Sequence, residues 1–181
     1  MIGSDGELVR AVRGGDADAF GHLVRAYQGR LFGLVLMMVR EPAGAEDVTQ
    51  EALLRAYRFL DDFDVERPFY PWLAAIAVRL SQNWLRQHGR TARREGATLD
   101  QVPEPQSTDA ALHDLLSDEQ GRRLWHAVAA LPSGERTAVT MYYRDEMSVG
   151  DIALALGVTS GTIKSLLFRA RRRLRGRLDH D

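Results

Sequence analysis

Cysteine is absent from this chain of 181 residues, and lysine nearly so: of 24 basic residues all but Lys164 are arginine. The first absence removes disulfide frameworks, thiol nucleophiles and every cysteine-based zinc or iron–sulfur site, and it agrees with a reducing, cytoplasmic home. The second leaves planar guanidinium groups available for bidentate contact with phosphates or base edges wherever they face outward, although a G+C-rich genome would bias the composition the same way. Long apolar runs are also missing. Runs such as Leu34 to Val39 fall far short of the roughly 20 residues a membrane span needs, so no membrane insertion is expected. The opening MIGSDGELVR has no basic stretch leading into an apolar core, so no secretory leader is expected either.

Enzyme chemistry finds little to work with. His22, His88, His113, His126 and His180 show no metal-ligand spacing, no GxSxG occurs, and no glycine-rich phosphate loop follows a strand. The fragment SGTIKS lacks the GxxxxGK order of a P-loop. The expectation is a protein that is not an enzyme, with no catalytic residue, no metal and no cofactor.

The near-neutral total hides a segregation of charge. Residues 1–64 hold 11 acids and 7 bases, and residues 65–96 hold 2 acids and 6 bases. Residues 97–120 hold 6 acids and no base, 121–158 balance at 4 and 4, and 159–181 hold 2 acids and 7 bases. Two basic patches are therefore separated by an acidic spacer.

Apolar residues recur at helical spacing through most of the chain, and strand signals are nearly absent. Ser4 to Glu7 reads as a capping box opening a short helix that turns Leu8, Val9 and Val12 inward and ends at Gly14 and Gly15. Asp16 caps a longer helix with the stripe Phe20, Leu23, Val24, Tyr27, Leu31, Leu34, Met38, which stops before Pro42. A third helix, about Ala45 to Leu60, buries Val48, Ala52, Ala56 and Phe59 or Leu60, and its other face carries Asp47, Gln50, Glu51, Leu54, Arg55 and Arg58. After a polar connection holding Phe63, a fourth helix presents Leu73, Ile76, Ala77, Leu80 and Trp84 on one side and ends in the basic run Arg86, His88, Arg90, Arg93, Arg94.

Residues 96 to about 112 have linker chemistry: two prolines, few large apolar groups and mostly acidic charge. The fold class expected is all-α, two small helical domains (1–95 and 115–181) joined by an acidic flexible linker over 96–114. In the second domain, Leu115 to Leu131 reads as a helix with Leu124, Val128 and Leu131 inward, and Ser133 as the cap of another running to about Tyr143. Ser148 and Asp151 form a second capping box, Gly157 turns the chain, and Thr159 or Ser160 caps a last helix packed down by Ile163, Leu167, Ala170 and Leu174. Two helices joined by a short glycine turn, the second of them basic, form the helix-turn-helix pattern.

A basic helix is often only a solvated face, but here Thr162, Lys164, Ser165, Phe168 and Arg169 point away from the packing stripe of a capped pair, which favours insertion into a major groove. Arg172, Arg173 and Arg175 lie further along, where phosphates or solvent are expected. The cluster Phe63, Phe69, Tyr70, Trp72 beside a basic helix end has two readings: ordinary core filling, or a platform on which unpaired bases stack between phosphate-binding arginines.

The segments AEDVTQEALLRAYRFLDDF and PFYPWLAAIAVRLSQNWL, followed by LPSGERTAVTMYY and MSVGDIALALGVTSGTIKSLLFRARRRL, together resemble the extracytoplasmic-function (group IV) sigma factors of the sigma-70 family, over essentially the whole chain. The resemblance implies a promoter-reading subunit of bacterial RNA polymerase, with core polymerase (the beta-prime clamp and beta flap), promoter DNA and an anti-sigma factor as partners. It places Asp47, Gln50, Glu51, Leu54 and Arg55 on the core-binding helix. It places Phe63, Phe69, Tyr70 and Trp72, with Arg79, Asn83 and Arg86, at the minus-ten element, and Thr162, Lys164, Ser165, Phe168, Arg169 and Arg172 at the minus-thirty-five element. Val78-Arg79 stands where the family usually has Arg-Asn, and Leu166 where it commonly has arginine, so promoter preference is not carried over. The competing reading is a stand-alone helix-turn-helix regulator that binds duplex operator DNA without polymerase.

Overall fold

The computed structural model describes residues 4–94 and 119–178, and no strand occurs among them. The expected linker and the start of the second domain lie outside the described residues, as do the side chains of Arg90, Arg93 and Arg94.

Local chemistry sets the helix ends. Helix α1 (Asp5–Arg13) opens with the reciprocal box: Glu7 N donates to Ser4 Oγ at 3.4 Å, and Ser4 N to Glu7 Oε2 at 2.7 Å. Helix α2 (Ala17–Val39) is capped by Asp16, whose Oδ1 accepts from Asp18 N and Ala19 N. Helix α3 (Pro42–Arg58) starts three residues before the expected Ala45, because the Glu41 carboxylate accepts from Ala43 N and Gly44 N and Pro42 fits the first turn. A 3₁₀ turn at Leu60–Asp62 leads to α4 (Phe69–Arg94).

Helices α2, α3 and α4 pack on one another with α1 against α2. They bury Val9, Leu23, Leu31 and Leu34 with Val48, Ala52 and Ala56 of α3 and Leu73, Ala77, Val78 and Leu80 of α4. Of the two candidates ending α3, Leu60 is buried and Phe59 is exposed.

The second domain comprises α5 (Glu119–Ala129), α6 (Ser133–Val139), a π-helical turn at Thr140–Arg144, α7 (Val149–Leu156) and α8 (Ser160–Leu178). Two expectations are corrected. Leu124 is 41% exposed, and the neighbouring Trp125 packs against the core instead. Ser133 does not cap α6: Pro132 holds that position with no side-chain bond, and Ser133 is the first helical residue. The helix-turn-helix follows the sequence closely. The box expected at Ser148 and Asp151 forms only in half: Ser148 Oγ accepts from Asp151 N at 3.1 Å, but the Asp151 carboxylate takes its bond from that same hydroxyl at 2.6 Å and not from Ser148 N. Gly157 takes the left-handed φ of +68° that a side chain would strain, and Thr159 Oγ1 accepts from Thr162 N at 3.2 Å. Helices α7 and α8 meet at 106°.

The two domains pack together, α2 against α6 and the π turn, and α4 against α7. Every residue from Gly33 to Val39 is buried, because α2 ends between its own domain and the other one. No single helix among the described residues is long and apolar enough to cross a membrane.

Candidate nucleic-acid and protein interfaces

On α3, Val48, Ala52 and Ala56 are buried, so the spacing of the helix sends Asp47, Gln50, Leu54 and Arg55 outward. Glu51, half-buried at its side chain, accepts from Arg55 Nε at 2.6 Å, the favourable i,i+4 order of acid before base. Leu54 is 52% exposed among these charges, and Tyr57 and Phe59 lie exposed further along the helix. An exposed large apolar group set among charges suits contact with another protein.

The aromatic group before α4 is mostly interior. Phe63, Phe69 and Tyr70 are buried, and Phe63 meets the Phe69 ring edge-on at 5.3 Å and the Trp72 ring at 5.1 Å. Trp72 is half-buried at the rim of a cavity of about 360 Å³ that it shares with Arg67, Pro68, Pro71, Ala75 and Arg79, and with Asp151, Leu154 and Ala155 of α7. Arg79, Asn83 and Arg86 are exposed along α4, with Arg86 bonded to Asn83. Val78 is fully buried, so Arg79 is the member of that pair on the outer surface.

On α8, Ile163, Leu167 and Ala170 are buried, and Thr162, Lys164, Ser165, Phe168, Arg169 and Arg172 are exposed, Phe168 by 65%. The two flanks of the helix are tethered. Arg169 and Arg173 lie 3.4 and 3.1 Å from the buried Glu135 of α6, and Arg171 Nε donates to Tyr143 Oη at 2.6 Å. The outward face between them carries Lys164, Ser165, Phe168 and Arg172, all exposed.

Sequence reasoning missed a polar cluster between the domains. Asp145, 1% exposed, ends the π turn; its Oδ1 accepts from Arg144 Nε at 2.9 Å and from Arg30 Nε of α2 at 3.4 Å, and its Oδ2 accepts from Tyr70 Oη of α4 at 2.9 Å. Arg144 Nη2 donates to Arg30 O at 2.9 Å, and the Arg30 guanidinium lies over the Tyr70 ring, 3.8 Å from its centre. Burial, then the Asp145 charge, raises the Tyr70 phenol above its ordinary range, with Arg144 and Arg30 pulling the other way. Nearby, Arg136 Nε donates to Met37 O at 2.7 Å, and its Nη1 to Ala129 O and Leu131 O. Burial first, and the Arg40 charge second, lower its guanidinium to about 10. The one hint in the sequence was the run Leu34 to Val39, which has no polar side to turn to water and therefore needs cover all round.

The chain matches the family Sigma-70 region 2 over residues 23–91 and the family Sigma-70, region 4 over residues 121–174. It is 36% identical to the RNA polymerase sigma-H factor of Pseudomonas aeruginosa over 174 residues, 92% of this chain and 90% of that one. It is 34% identical to the ECF RNA polymerase sigma-E factor of Escherichia coli K12, with 93% and 91% covered. Among solved structures, CnrH in complex with the cytosolic domain of CnrY superposes with a TM-score of 0.68 at 25% identity, covering 99% of each chain. The fold is shared by the sigma factor RpoE of Bartonella quintana, solved with the anti-sigma factor NepR (TM-score 0.70, 22% identity, 90% and 98% covered). Relatives that span both domains and are themselves sigma factors disfavour a stand-alone regulator. With both sigma regions present in order and full-length relatives above 30% identity, the chain belongs to the extracytoplasmic-function sigma factors of the sigma-70 family, the subunits that direct bacterial RNA polymerase to its promoters.

Proposed function

We propose that the chain divides this work among three surfaces, with domain limits at 1–95 and 115–181 and an acidic linker over 96–114. The outer face of α3, through Asp47, Gln50, Glu51, Leu54 and Arg55, docks on the beta-prime clamp of core polymerase, and the second domain reaches the beta flap. The rim of Trp72 and the exposed Arg79, Asn83 and Arg86 take the minus-ten element, beside the aromatic packing of Phe63, Phe69 and Tyr70. The α8 face takes the minus-thirty-five element: side chains in the N-terminal half reach base edges and arginines further along neutralise phosphate. The chain works in the cytoplasm, carries no catalysis of its own, and takes an anti-sigma partner, as the Bartonella quintana factor does.

The observation that carries this reading is Leu54, 52% exposed on the charged side of α3. Neither DNA nor the chain's own core uses an apolar group in that position, whereas a protein partner does. Charge reversal of Asp47 together with Glu51 should weaken core binding in fluorescence anisotropy and abolish run-off transcription, with the helical circular dichroism unchanged. Unaltered core affinity in that variant removes the assignment.

A further inference from the structure

Helix α1 lies ahead of residues 23–91, the segment matched to Sigma-70 region 2, and one of its faces grips the connection from α3 to α4. Arg13, in its last turn, directs Nη2 to the backbone oxygens of Leu60 at 2.7 Å, Asp61 at 3.1 Å and Phe63. That nitrogen carries two hydrogens, so three carbonyls share two donors, and the Asp61 carboxylate stands 3.8 Å from Nε. One turn back, Arg10 pairs with Glu66 at 3.0 Å. At the start of the helix, Gly6 passes so close to Val65 that a Cβ would lie 3.0 Å from its carbonyl oxygen. Positions 6, 10 and 13 share one side of a helix.

The helix that makes these contacts is itself fixed. Val9 is fully buried, Leu8 and Val12 pack on the core, and Asp5 accepts from Tyr27 Oη of α2. The connection runs from the 3₁₀ turn at Leu60–Asp62, through a turn closed by Arg67 N on Asp64 O, to the start of α4. Irregular backbone of this kind lacks the repeating ladder of a helix, so its carbonyls take donors from outside, and a planar guanidinium supplies several in a fixed geometry. Its charge strengthens each bond. The exposed Arg10–Glu66 pair adds little.

The gripped residues adjoin the surface assigned to the minus-ten element. Phe63, whose carbonyl Arg13 holds, packs its ring 5.1 Å from that of Trp72, and Arg67 and Pro68 line the same cavity as Trp72 and Arg79. A displacement of the Phe63 backbone is therefore passed to Trp72 through close-packed rings, which transmit strain.

We propose that Arg13 is a positioning residue for minus-ten recognition: α1, through Arg13 and the close approach of Gly6, sets the shape of the connection over 60–68 and so decides which bases the Trp72 rim accepts. Arg13 touches no DNA in this role, because its guanidinium is engaged by carbonyls and a carboxylate. The proposal rests on the assignment of the minus-ten surface to the start of α4.

The test uses holoenzyme formed from core polymerase and the full chain. The probes are non-template-strand oligonucleotides across the minus-ten region of a promoter that the chain transcribes in run-off assays, each with one base replaced. Arg13→Met should cut discrimination between preferred and replaced bases by about fivefold to tenfold at one or two positions, most of the factor that a mismatched base costs. Affinity for core and for minus-thirty-five duplex should stay within about twofold of the parent's. Gly6→Ala keeps Arg13 and favours the helix, yet obliges Val65 to give by a few tenths of an ångström, so it should weaken discrimination at the same positions without lowering the melting temperature. Arg13→Lys retains a charge for phosphate but not the reach to three carbonyls, and should behave like Arg13→Met. Unchanged discrimination in Arg13→Met and Gly6→Ala, or losses uniform over all bases that follow a fall in melting temperature, would leave α1 as packing alone and overturn the proposal. Recovery in Arg13→Lys, with a salt slope lowered by about 0.7 in Arg13→Met, would make Arg13 a phosphate contact and overturn it as well. Trp72→Ala holoenzyme that binds and discriminates as the parent does would instead overturn the minus-ten assignment, and with it the role of Arg13.

Discussion

Arg136 Nε donates to the carbonyl of Met37 at 2.7 Å, so a cation of the second domain closes the C-terminal end of a helix in the first. The same side chain bonds Ala129 O and Leu131 O. With its guanidinium lowered only to about 10, it is still charged at neutral pH. Arg136→Met should leave three carbonyls short of a donor and cost about 2–4 kcal/mol in urea unfolding, at roughly 1 kcal/mol or more for each bond lost. A variant as stable as the parent would show that water replaces the guanidinium at no cost.

Two of the five tyrosines should resist alkali. Tyr27 is raised by burial and by Asp5, to which its hydroxyl donates at 2.5 Å, and Tyr70 is raised by burial and Asp145. Because the folded state holds these protons more tightly than the unfolded chain does, their contribution to stability is complete below about pH 10 and is lost as the pH climbs beyond it. Phenolate absorbance during titration should show two late groups that ionise together with loss of helix. Five tyrosines titrating alike near their ordinary range would contradict the burial.

Leu54→Ala separates docking from folding. An exposed leucine removed from a helix surface should change stability by no more than about 0.5 kcal/mol. On the docking assignment, the same change should weaken core binding by about tenfold, the effect of losing one well-placed anchor of about 1.4 kcal/mol. Competition against a second sigma factor for limiting core gives the number.

Glu135 holds two arginines of α8 on its buried carboxylate. Glu135→Gln removes that charge and frees Arg169 and Arg173 to meet phosphates. Binding to duplex DNA of any sequence should then tighten, and the dependence on salt should steepen by about 1–2 units, close to 0.9 for each phosphate newly neutralised. Arg172→Ala, at a residue exposed on the outer face, should lower the same slope by about one unit. Titrations at several salt concentrations on matched and scrambled minus-thirty-five duplexes read both effects.

Phe63→Ala is expected to act first on folding. Its ring is buried against Phe69 and Trp72, so truncation should cost about 3–5 kcal/mol, in the range of other buried aromatics. Trp72, half-buried at the cavity rim, is the better probe of promoter opening. Trp72→Ala should be defective on duplex promoters and partly rescued on a pre-melted bubble, and equal loss on both would assign Trp72 to packing alone.

What could be read in the sequence was the chemistry that acts over a few residues. Ser4 with Glu7, Asp16, Ser148 with Asp151, and Gly157 each settle a helix end through a bond or a backbone angle within their own turn, and the structure has all of them. The all-helical, two-domain architecture and the outward faces of α3 and α8 followed from helical spacing. Leu124 went wrong by a single position, because the adjacent Trp125 buries more surface when it turns inward. The partners of Asp145 stand 115 and 75 residues away on two other helices, and no local pattern announces a buried carboxylate shared in that way. Glu135 gives no local signal for the same reason: Arg169, which it meets, lies 34 residues on.

The wide turn at Thr140–Arg144 has a consequence of its own. Asp145 N bonds Thr140 O, five residues back, where an α-helix would bond four back, so the turn holds one residue more than a regular helix. Each residue advances an α-helix by about 100°. Deleting one residue within Thr140–Tyr143 would restore the regular ladder and swing the carboxylate of Asp145 about a quarter-turn away from Arg30 and Tyr70. The angular phase of one short helix therefore sets whether the halves of the molecule recognise each other, and a single codon inserted or lost there would reset it without altering any side chain in the contact.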